Sequence, residues 1–305
     1  MEHSNRLRGV FSPVITPFAT DLSPDASRLV RHCRWLLGQD VGLAVFGTNS
    51  EANSMSVAEK MALLDALVDA GVPAARMMPG TGCCALTDTV ELTRHAARHR
   101  TGGVLMLPPF YYKGASDDGL FASYAEVIQR VGGSGLRIYL YHIPQVSQVP
   151  ISLALIERLL DAYPDVIAGI KDSSGDWSNT QAMLERFQPR GFDVFAGSES
   201  FLLATLRGGG AGCITATGNV NPGPIARLYR GWQSADAEAQ QKALDAVRNA
   251  FQKFPMIPAL KAAVLHFSGD EGFGTVRPPL VKLTAAQRQQ LVASLQPLGF
   301  SMPGL

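Results

Sequence analysis

The sequence is poor in the features that mark secreted or membrane-spanning proteins. Its 305 residues include only four cysteines, with no C-x-x-C pair, and Cys83 and Cys84 are adjacent, which does not suit an ordinary structural disulfide. No segment approaches the roughly 20 apolar residues that a membrane helix needs. Residues 1–9 are polar and basic, without the apolar stretch of a signal peptide. These absences predict a protein of the reducing cytoplasm with no membrane partner.

An excess of either charge is also lacking. Lys and Arg total 27 against 26 for Asp and Glu, a formal net charge of +1, so we expect no nucleic-acid partner. The histidines form no H-x-H or H-E-x-x-H pair, which argues against a metal site. His95 and His99 are four residues apart on a predicted helix and could share a ligand, but a solvated helix face is the commoner outcome.

What the sequence does contain is a repeated alternation of short apolar runs and longer helical stretches. Eight runs predict strands, at residues 10–18, 41–48, 76–82, 103–110, 137–143, 166–171, 193–197 and 212–217. The stretches between them predict seven helices, at residues 26–37, 57–70, 88–99, 117–131, 153–162, 179–187 and 200–206. Because parallel strands need crossover connections, this order predicts an α/β fold of the (β/α)₈ barrel type.

The pattern changes after the eighth predicted strand. Four further helices are predicted without any strand between them, at residues 222–232, 235–251, 257–266 and 285–296. We interpret residues 1–220 as the barrel core, and residues 221–305 as its last helix with a carboxyl-terminal helical extension in the same structural unit. A doubly wound open sheet is the alternative, which the absence of a G-x-G-x-x-G motif after the first strand disfavours.

Lys171 closes one of the apolar runs, residues 166–170, and turn residues follow it. Burial at the end of such a strand disfavours the charged ammonium, and a neutral amine can attack a ketone to form a Schiff base. The alternative is a structural lysine that reaches solvent or pairs with Asp172. On this segment alone, the structural role is the commoner one.

Polar side chains stand at seven of the predicted strand ends. They are Thr48 to Glu51, Thr81, Tyr111 and Tyr112, Tyr141 and His142, Lys171, Ser198 and Glu199, and Thr217 and Asn219. In a barrel the carboxyl ends of the strands form one rim, where catalytic groups lie. Few of these residues suit a barrel interior, so their placement favours an active site over packing.

Five motifs at these strand ends, taken in order, resemble those of a known family. They are GTNSE at 47–51, PFYY at 109–112, YHIP at 141–144, GIKDSS at 169–174 and GCITATGN at 212–219. Together they resemble the dihydrodipicolinate synthase/N-acetylneuraminate lyase family of Schiff-base lyases, and the resemblance covers the whole chain. It implies a barrel, a 2-keto acid substrate such as pyruvate, and no cofactor beyond a covalent imine.

The resemblance also implies catalytic roles. Lys171 matches the imine-forming lysine, and Tyr141 matches the tyrosine that shuttles protons. Thr48 matches the hydroxyl that links Tyr141 to a second tyrosine, which is Tyr111 or Tyr112 depending on the side from which the motif is aligned. In the family this second tyrosine enters the neighbouring subunit's site. We therefore expect a homo-oligomer, a tetramer built from dimers.

Substrate-binding positions follow from the same resemblance. Asn49, with the backbone N–H groups around Ser50, matches the place where the keto acid's carboxylate is held. Ile214 matches a position whose backbone carbonyl lies near the lysine. Ser198 and Glu199 stand where related lyases contact substrate hydroxyls, although an ion pair at the rim explains Glu199 equally well.

Four residues depart from the family's pattern. Asn49 replaces Thr or Ser but still offers an N–H to a carboxylate, whereas Ser50 replaces a Gly that is free to take positive φ, so we expect a local change in this loop. His142 replaces Asn, and a packing change behind the tyrosine is slightly favoured over contact with the substrate. Val146 stands where true dihydrodipicolinate synthases carry an Arg that binds the carboxylate of aspartate semialdehyde. Valine cannot replace such a clamp.

The leading hypothesis is therefore a class I lyase that acts on a 2-keto acid. It would work either as an aldolase with an aldehyde as second substrate or as a dehydratase of a keto-deoxy sugar acid. Dihydrodipicolinate synthase itself is the second hypothesis, and Val146 argues against it. A non-catalytic relative that binds a keto acid is the third, and the retention of Lys171 and Tyr141 argues against that.

Overall fold

The computed structural model of the chain describes residues 6–133 and 135–305. Most of the amino terminus on which the expectation of no signal peptide rests, residues 1–5, lies outside the described residues, as does Ser134. The chain forms two compact units, one of residues 6–8 and 73–213 and the other of residues 9–72 and 214–305. Within the described ranges, no helix is both long and apolar enough to cross a membrane.

The part of the chain that the structure describes contains seven strands. They are β1 (Gly9–Ser12), β2 (Gly42–Leu43), β3 (Val104–Met106), β4 (Ile138–His142), β5 (Ile167–Asp172), β6 (Asp193–Ala196) and β7 (Gly212–Ile214). In the first unit, β3 to β7 pair in sequence order, each parallel to the next. In the second unit, β1 pairs in parallel with β2, and the N–H of Thr215 donates to the carbonyl of Phe11. The pairing confirms the predicted parallel arrangement.

The prediction of a third strand at residues 76–82 is wrong. This segment begins with the end of a 3₁₀ turn, Ala74–Arg76, and contains bridge positions at Met77 and Gly80 instead of a strand, with Gly80 paired in parallel to Leu105. The Leu105 N–H donates to the carbonyl of Pro79 at 2.9 Å. Because Pro79 has no N–H to donate in return, a longer ladder cannot form there.

Among the described residues all eleven predicted helices are present, together with one that was not predicted. The helices are α1 (Ala26–Gly38), α2 (Val57–Asp69), α3 (Leu86–Arg98), α4 (Asp117–Val131), α5 (Pro144–Ser147), α6 (Leu153–Ala162), α7 (Trp177–Phe187), α8 (Leu202–Arg207), α9 (Pro222–Arg230), α10 (Ala237–Gln252), α11 (Met256–Ser268) and α12 (Ala285–Leu295). The missed helix is α5, which is too short to show a hydrophobic period. Its first residue is a proline, the position where proline suits a helix.

The helices after β7 bury an apolar core in the second unit. Val247 and Phe251 of α10, Leu260 of α11 and Leu291 of α12 belong to this core. Lys261, the next residue of α11, has a relative exposure of 0 % in a helix that is otherwise almost wholly apolar. A buried ammonium in such surroundings requires a partner of opposite charge.

Candidate active site

Strands β4 and β5 place Tyr141 and Lys171 side by side in the first unit. The two residues are direct register partners, and both side chains are buried, each with 2 % exposure. The Nζ of Lys171 lies 3.2 Å from the phenol oxygen of Tyr141 and 4.3 Å from its ring centroid. An amine and a phenol, a group that can both donate and accept a proton, are thus in contact and shielded from bulk water.

Gly169 makes this close strand packing possible. A Cβ at this position would meet the backbone carbonyl of Asp193 on β6 and the ring of Tyr139 on β4. The glycine two residues before Lys171 is therefore a steric requirement of the three neighbouring strands.

The structure does not support the alternative role of Lys171 as a solvent-reaching or Asp172-paired lysine. Its burial removes the first form. Asp172 lies on the opposite face of β5, because side chains alternate along a strand. Its carboxylate accepts hydrogen bonds from the N–H and hydroxyl of Ser174, the amide of Asn179 at 3.1 Å and the hydroxyl of Thr180 at 2.6 Å. This carboxylate holds the turn after β5.

His142 is the last residue of β4 and directly follows Tyr141, so its side chain lies on the opposite face of that strand. Its Nδ1 accepts a hydrogen bond from the N–H of Ile151 at 3.0 Å, so the neutral ring carries its hydrogen on Nε2, which lies 4.0 Å from Oδ1 of Asp172. Burial lowers the pKa of His142, and the Asp172 carboxylate opposes that shift. Through this hydrogen bond the ring is attached to the segment that precedes α6.

Ser198 and Glu199 follow β6 in the same unit. The Ser198 hydroxyl accepts a hydrogen bond from the N–H of Ser200 at 3.1 Å and caps a 3₁₀ turn, while Glu199 is fully buried with 0 % exposure. The Glu199 side chain is therefore enclosed by protein and not exposed to solvent.

Tyr111, Tyr112 and Val146 are exposed, by 74, 65 and 60 % respectively. The two tyrosine rings contact each other edge to face, with centroids 5.6 Å apart. The Lys113 ammonium donates to the carbonyl of Ser147 at 2.7 Å, which ties the tyrosine loop to α5 and so to Val146. The three exposed apolar side chains therefore belong to one braced surface of the first unit.

In the second unit, Thr48, Asn49 and Ser50 form a single 3₁₀ turn. The Ser50 hydroxyl accepts a hydrogen bond from the N–H of Gly47 at 3.1 Å, and the hydroxyl of Thr16 donates to the Ser50 carbonyl at 2.8 Å. The positive φ of this segment falls on the next residue, Glu51, at 57°.

Ile214 ends β7 and precedes a second 3₁₀ turn that contains Asn219. The Asn219 amide donates to the carbonyls of Pro13 and Ala216, each at 3.0 Å, and its oxygen accepts from the N–H of Ile15 at 2.9 Å. This buried side chain joins the segments that follow β1 and β7, a role that the sequence did not assign.

Glu51 and Lys261 are two further residues to which sequence reasoning gave no role. They form a buried ion pair in the second unit, in which Glu51 is the residue directly after the Thr48–Ser50 turn. A lysine within the apolar run of α11 was the signal that a buried carboxylate must lie nearby.

Sequence comparison relates nearly the whole chain to one known protein family. The model of the Dihydrodipicolinate synthetase family matches residues 6–298. An uncharacterized DapA-like lyase of Chloroflexus aurantiacus is 34 % identical over 292 residues, which cover 95 % of this chain and 96 % of the relative.

Comparison with solved structures agrees. Dihydrodipicolinate synthase from Agrobacterium tumefaciens is 30 % identical, with a TM-score of 0.87 over 95 % of this chain and 99 % of the other. YagE, a prophage protein of the dihydrodipicolinic acid synthase family from E. coli K12, solved in complex with pyruvate, is 26 % identical, with a TM-score of 0.88 over 96 % of this chain and 99 % of the other. The predicted α/β barrel fold with a carboxyl-terminal helical part is confirmed, with seven strands instead of eight among the described residues.

Proposed function

This chain belongs to the dihydrodipicolinate synthetase family and is a class I, Schiff-base lyase, and on that premise we propose that it acts on pyruvate or another 2-keto acid through an imine on Lys171. The observation that carries the proposal is the buried contact of Lys171 with Tyr141. The similarity to YagE, whose structure contains pyruvate, supports the substrate class.

The proposed chemistry begins with attack of the neutral Lys171 amine on the keto carbon, which forms a carbinolamine. A proton from Tyr141 lets the carbinolamine hydroxyl leave as water and gives a protonated imine. The imine draws electrons from the neighbouring carbon, and loss of a proton there gives an enamine. The enamine forms a carbon–carbon bond with an aldehyde, or the reverse step cleaves one. Tyr141 moves protons to and from the oxygens that react, because a phenol both donates and accepts. The family resemblance assigns to Thr48 the relay of those protons to Tyr111 or Tyr112.

Substrate binding is assigned to two regions. Asn49, the backbone of Ser50 and the carbonyl of Ile214 bind the keto acid, and Ser198 and Glu199 contact hydroxyls of the remainder of the substrate.

The second substrate of the proposed reaction is neutral rather than acidic. Gln145, Val146, Ser147 and Gln148 offer no cation to a second carboxylate. An aldol reaction with a neutral aldehyde, or the dehydration of a keto-deoxy sugar acid, therefore fits these residues better than condensation with aspartate semialdehyde.

Imine trapping tests the proposal directly. The protein is incubated with pyruvate, reduced with borohydride, and analysed by intact mass and peptide mapping. We expect one adduct per chain, on Lys171, which Lys171→Ala abolishes and the matched Lys253→Ala variant of an exposed lysine retains. An adduct on another lysine, or substantial turnover by Lys171→Ala, would remove the imine mechanism. If pyruvate gives no adduct, a panel of 2-keto acids and sugar acids follows, and its failure rejects the substrate class.

A further inference from the structure

Glu51 and Lys261 form a deeply buried ion pair in the second unit, with side-chain exposures of 0 and 1 %. The Lys261 ammonium contacts Oε1 of Glu51, donates to the carbonyl of Thr275 at 2.7 Å, and lies 4.5 Å from the ring centroid of Phe18. The lysine is therefore held by a charge, a carbonyl and an aromatic face at once.

Arg277 fixes the second oxygen of the same carboxylate. Its backbone N–H donates to Oε2 of Glu51 at 2.9 Å. Its guanidinium donates to the carbonyl of Ser54 at 2.6 Å and to the carboxylate of Glu59. It also lies 4.6 Å from the centroid of the Phe18 ring, which Lys261 contacts as well. Both oxygens of Glu51 are thus directed by groups that are themselves anchored.

The position of Glu51 in the chain connects this network to the Thr48–Ser50 turn. Glu51 follows the turn directly, has a φ of 57° and donates its N–H to the carbonyl of Thr48 at 3.1 Å. A non-glycine residue in this region of φ is strained and persists where its surroundings hold it. The side-chain anchor supplies that restraint at the joint where the turn ends.

We propose that Glu51 and Lys261 are positioning residues, whose buried pair fixes the backbone of the Thr48–Ser50 turn for binding the carboxylate of the keto acid. The catalytic consequence rests on the proposed function, whereas the ordering of the turn does not. Neither residue takes part in the proton transfers assigned to Tyr141, so loss of the pair weakens keto acid affinity more than the rate at saturation.

The experiment compares three variants with the wild type. Lys261→Met leaves a buried carboxylate unpaired, and Lys261→Met/Glu51→Gln removes both charges. Lys282→Met is the matched control, since this exposed lysine also contacts Thr275, with Nζ at 3.5 Å from its hydroxyl. Each is measured for thermal unfolding, for hydrogen exchange of residues 47–54 well below the unfolding temperature, and for imine trapping against pyruvate concentration.

We expect Lys261→Met to speed exchange in residues 47–54 and to raise the half-saturating pyruvate concentration by about tenfold. Trapping at saturation should stay within about twofold of the wild type, and the control should match the wild type throughout. The double variant should recover thermal stability, because a neutral replacement of a buried pair restores what an unpaired charge destroys. It should not recover affinity.

Other outcomes separate the possibilities. Unchanged exchange in residues 47–54, or affinity that returns together with thermal stability in the double variant, overturns the positioning role. If Lys261→Met does not fold, hydrogen exchange and imine trapping are both measured on the double variant. A wild type that traps no keto acid rejects the proposed function, and the exchange data then still decide whether the pair orders the turn.

Discussion

Tyr141 and Lys171 are register partners on adjacent parallel strands, with the phenol oxygen 3.2 Å from the amine. Because the strands set this distance, removing the hydroxyl leaves the lysine in place. We expect Tyr141→Phe to fold normally and to lose about 10²-fold or more in kcat, the usual contribution of a positioned proton donor and acceptor. Steady-state assays with the substrate found by imine trapping measure this loss.

Tyr139 supplies the matched control, since it lies on the same strand and is also buried, with 0 % exposure. Tyr139→Phe should keep kcat within about twofold of the wild type. Equal losses in the two variants would show that Tyr141 acts through packing and has no part in proton transfer.

Val146 should control the choice of second substrate. We expect slow turnover of aspartate semialdehyde with pyruvate, and a gain of about tenfold in kcat/KM for Val146→Arg, since a guanidinium can bind the second carboxylate. Val146→Leu is the control of similar size and should show no gain. A coupled assay measures both. Efficient turnover by the wild type would show that this chain recognises the acidic substrate without an arginine at this position.

The two exposed tyrosines allow a test of whether each active site is shared between two subunits. If one of them enters a neighbouring site, Lys171→Ala and the variant lacking that tyrosine are each inactive alone but complement each other when co-expressed. Random pairing in a twofold dimer gives activity in about a quarter of the sites. Tyr111→Phe and Tyr112→Phe are co-expressed separately with Lys171→Ala, and the molar mass is measured by light scattering. A monomeric mass, or no complementation in either pair, would reject the shared site.

Acid stability should depend on Glu59. The hydrogen bond from Arg277 lowers the pKa of Glu59 from 4.5 to about 2. Because the folded-state pKa lies below the unfolded one, the stabilisation is present above about pH 4.5 and disappears as the pH falls towards 2. Glu59→Gln keeps the acceptor that caps α2 and should lower the free energy of unfolding by about 1–2 kcal/mol at neutral pH, with no difference near pH 2. Urea unfolding between these values measures it, and a difference independent of pH would contradict the assignment.

Asn219 should be important for stability and not for chemistry. Asn219→Ala leaves the Ile15 N–H and the Pro13 and Ala216 carbonyls without this buried partner, which we expect to cost about 3 kcal/mol. Urea unfolding gives the loss, and imine trapping of the folded variant should be retained. A loss below 1 kcal/mol would show that water takes over these groups.

The sequence predicted those features of the fold and the site that depend on residues close together in the chain. Lys171 was identifiable because its strand, the turn after it and the polar strand ends follow from composition and period. The pairing of Glu51 with Lys261 was not, since it joins residues far apart in the chain and leaves no periodic trace. The predicted strand at residues 76–82 does not form, because Pro79 has no N–H to extend the pairing with β3. The sequence does not show which strand Pro79 will face. Contacts of this kind require the assembled fold.

Val146 stands on a four-residue helix that is braced at both ends, by Gln145 on the Ser174 carbonyl and by Lys113 on Ser147, while its own side chain remains exposed. Substitution there changes few contacts of the folded protein. The exposed surface at this position can therefore vary in size and charge while the contact of Lys171 with Tyr141 stays intact.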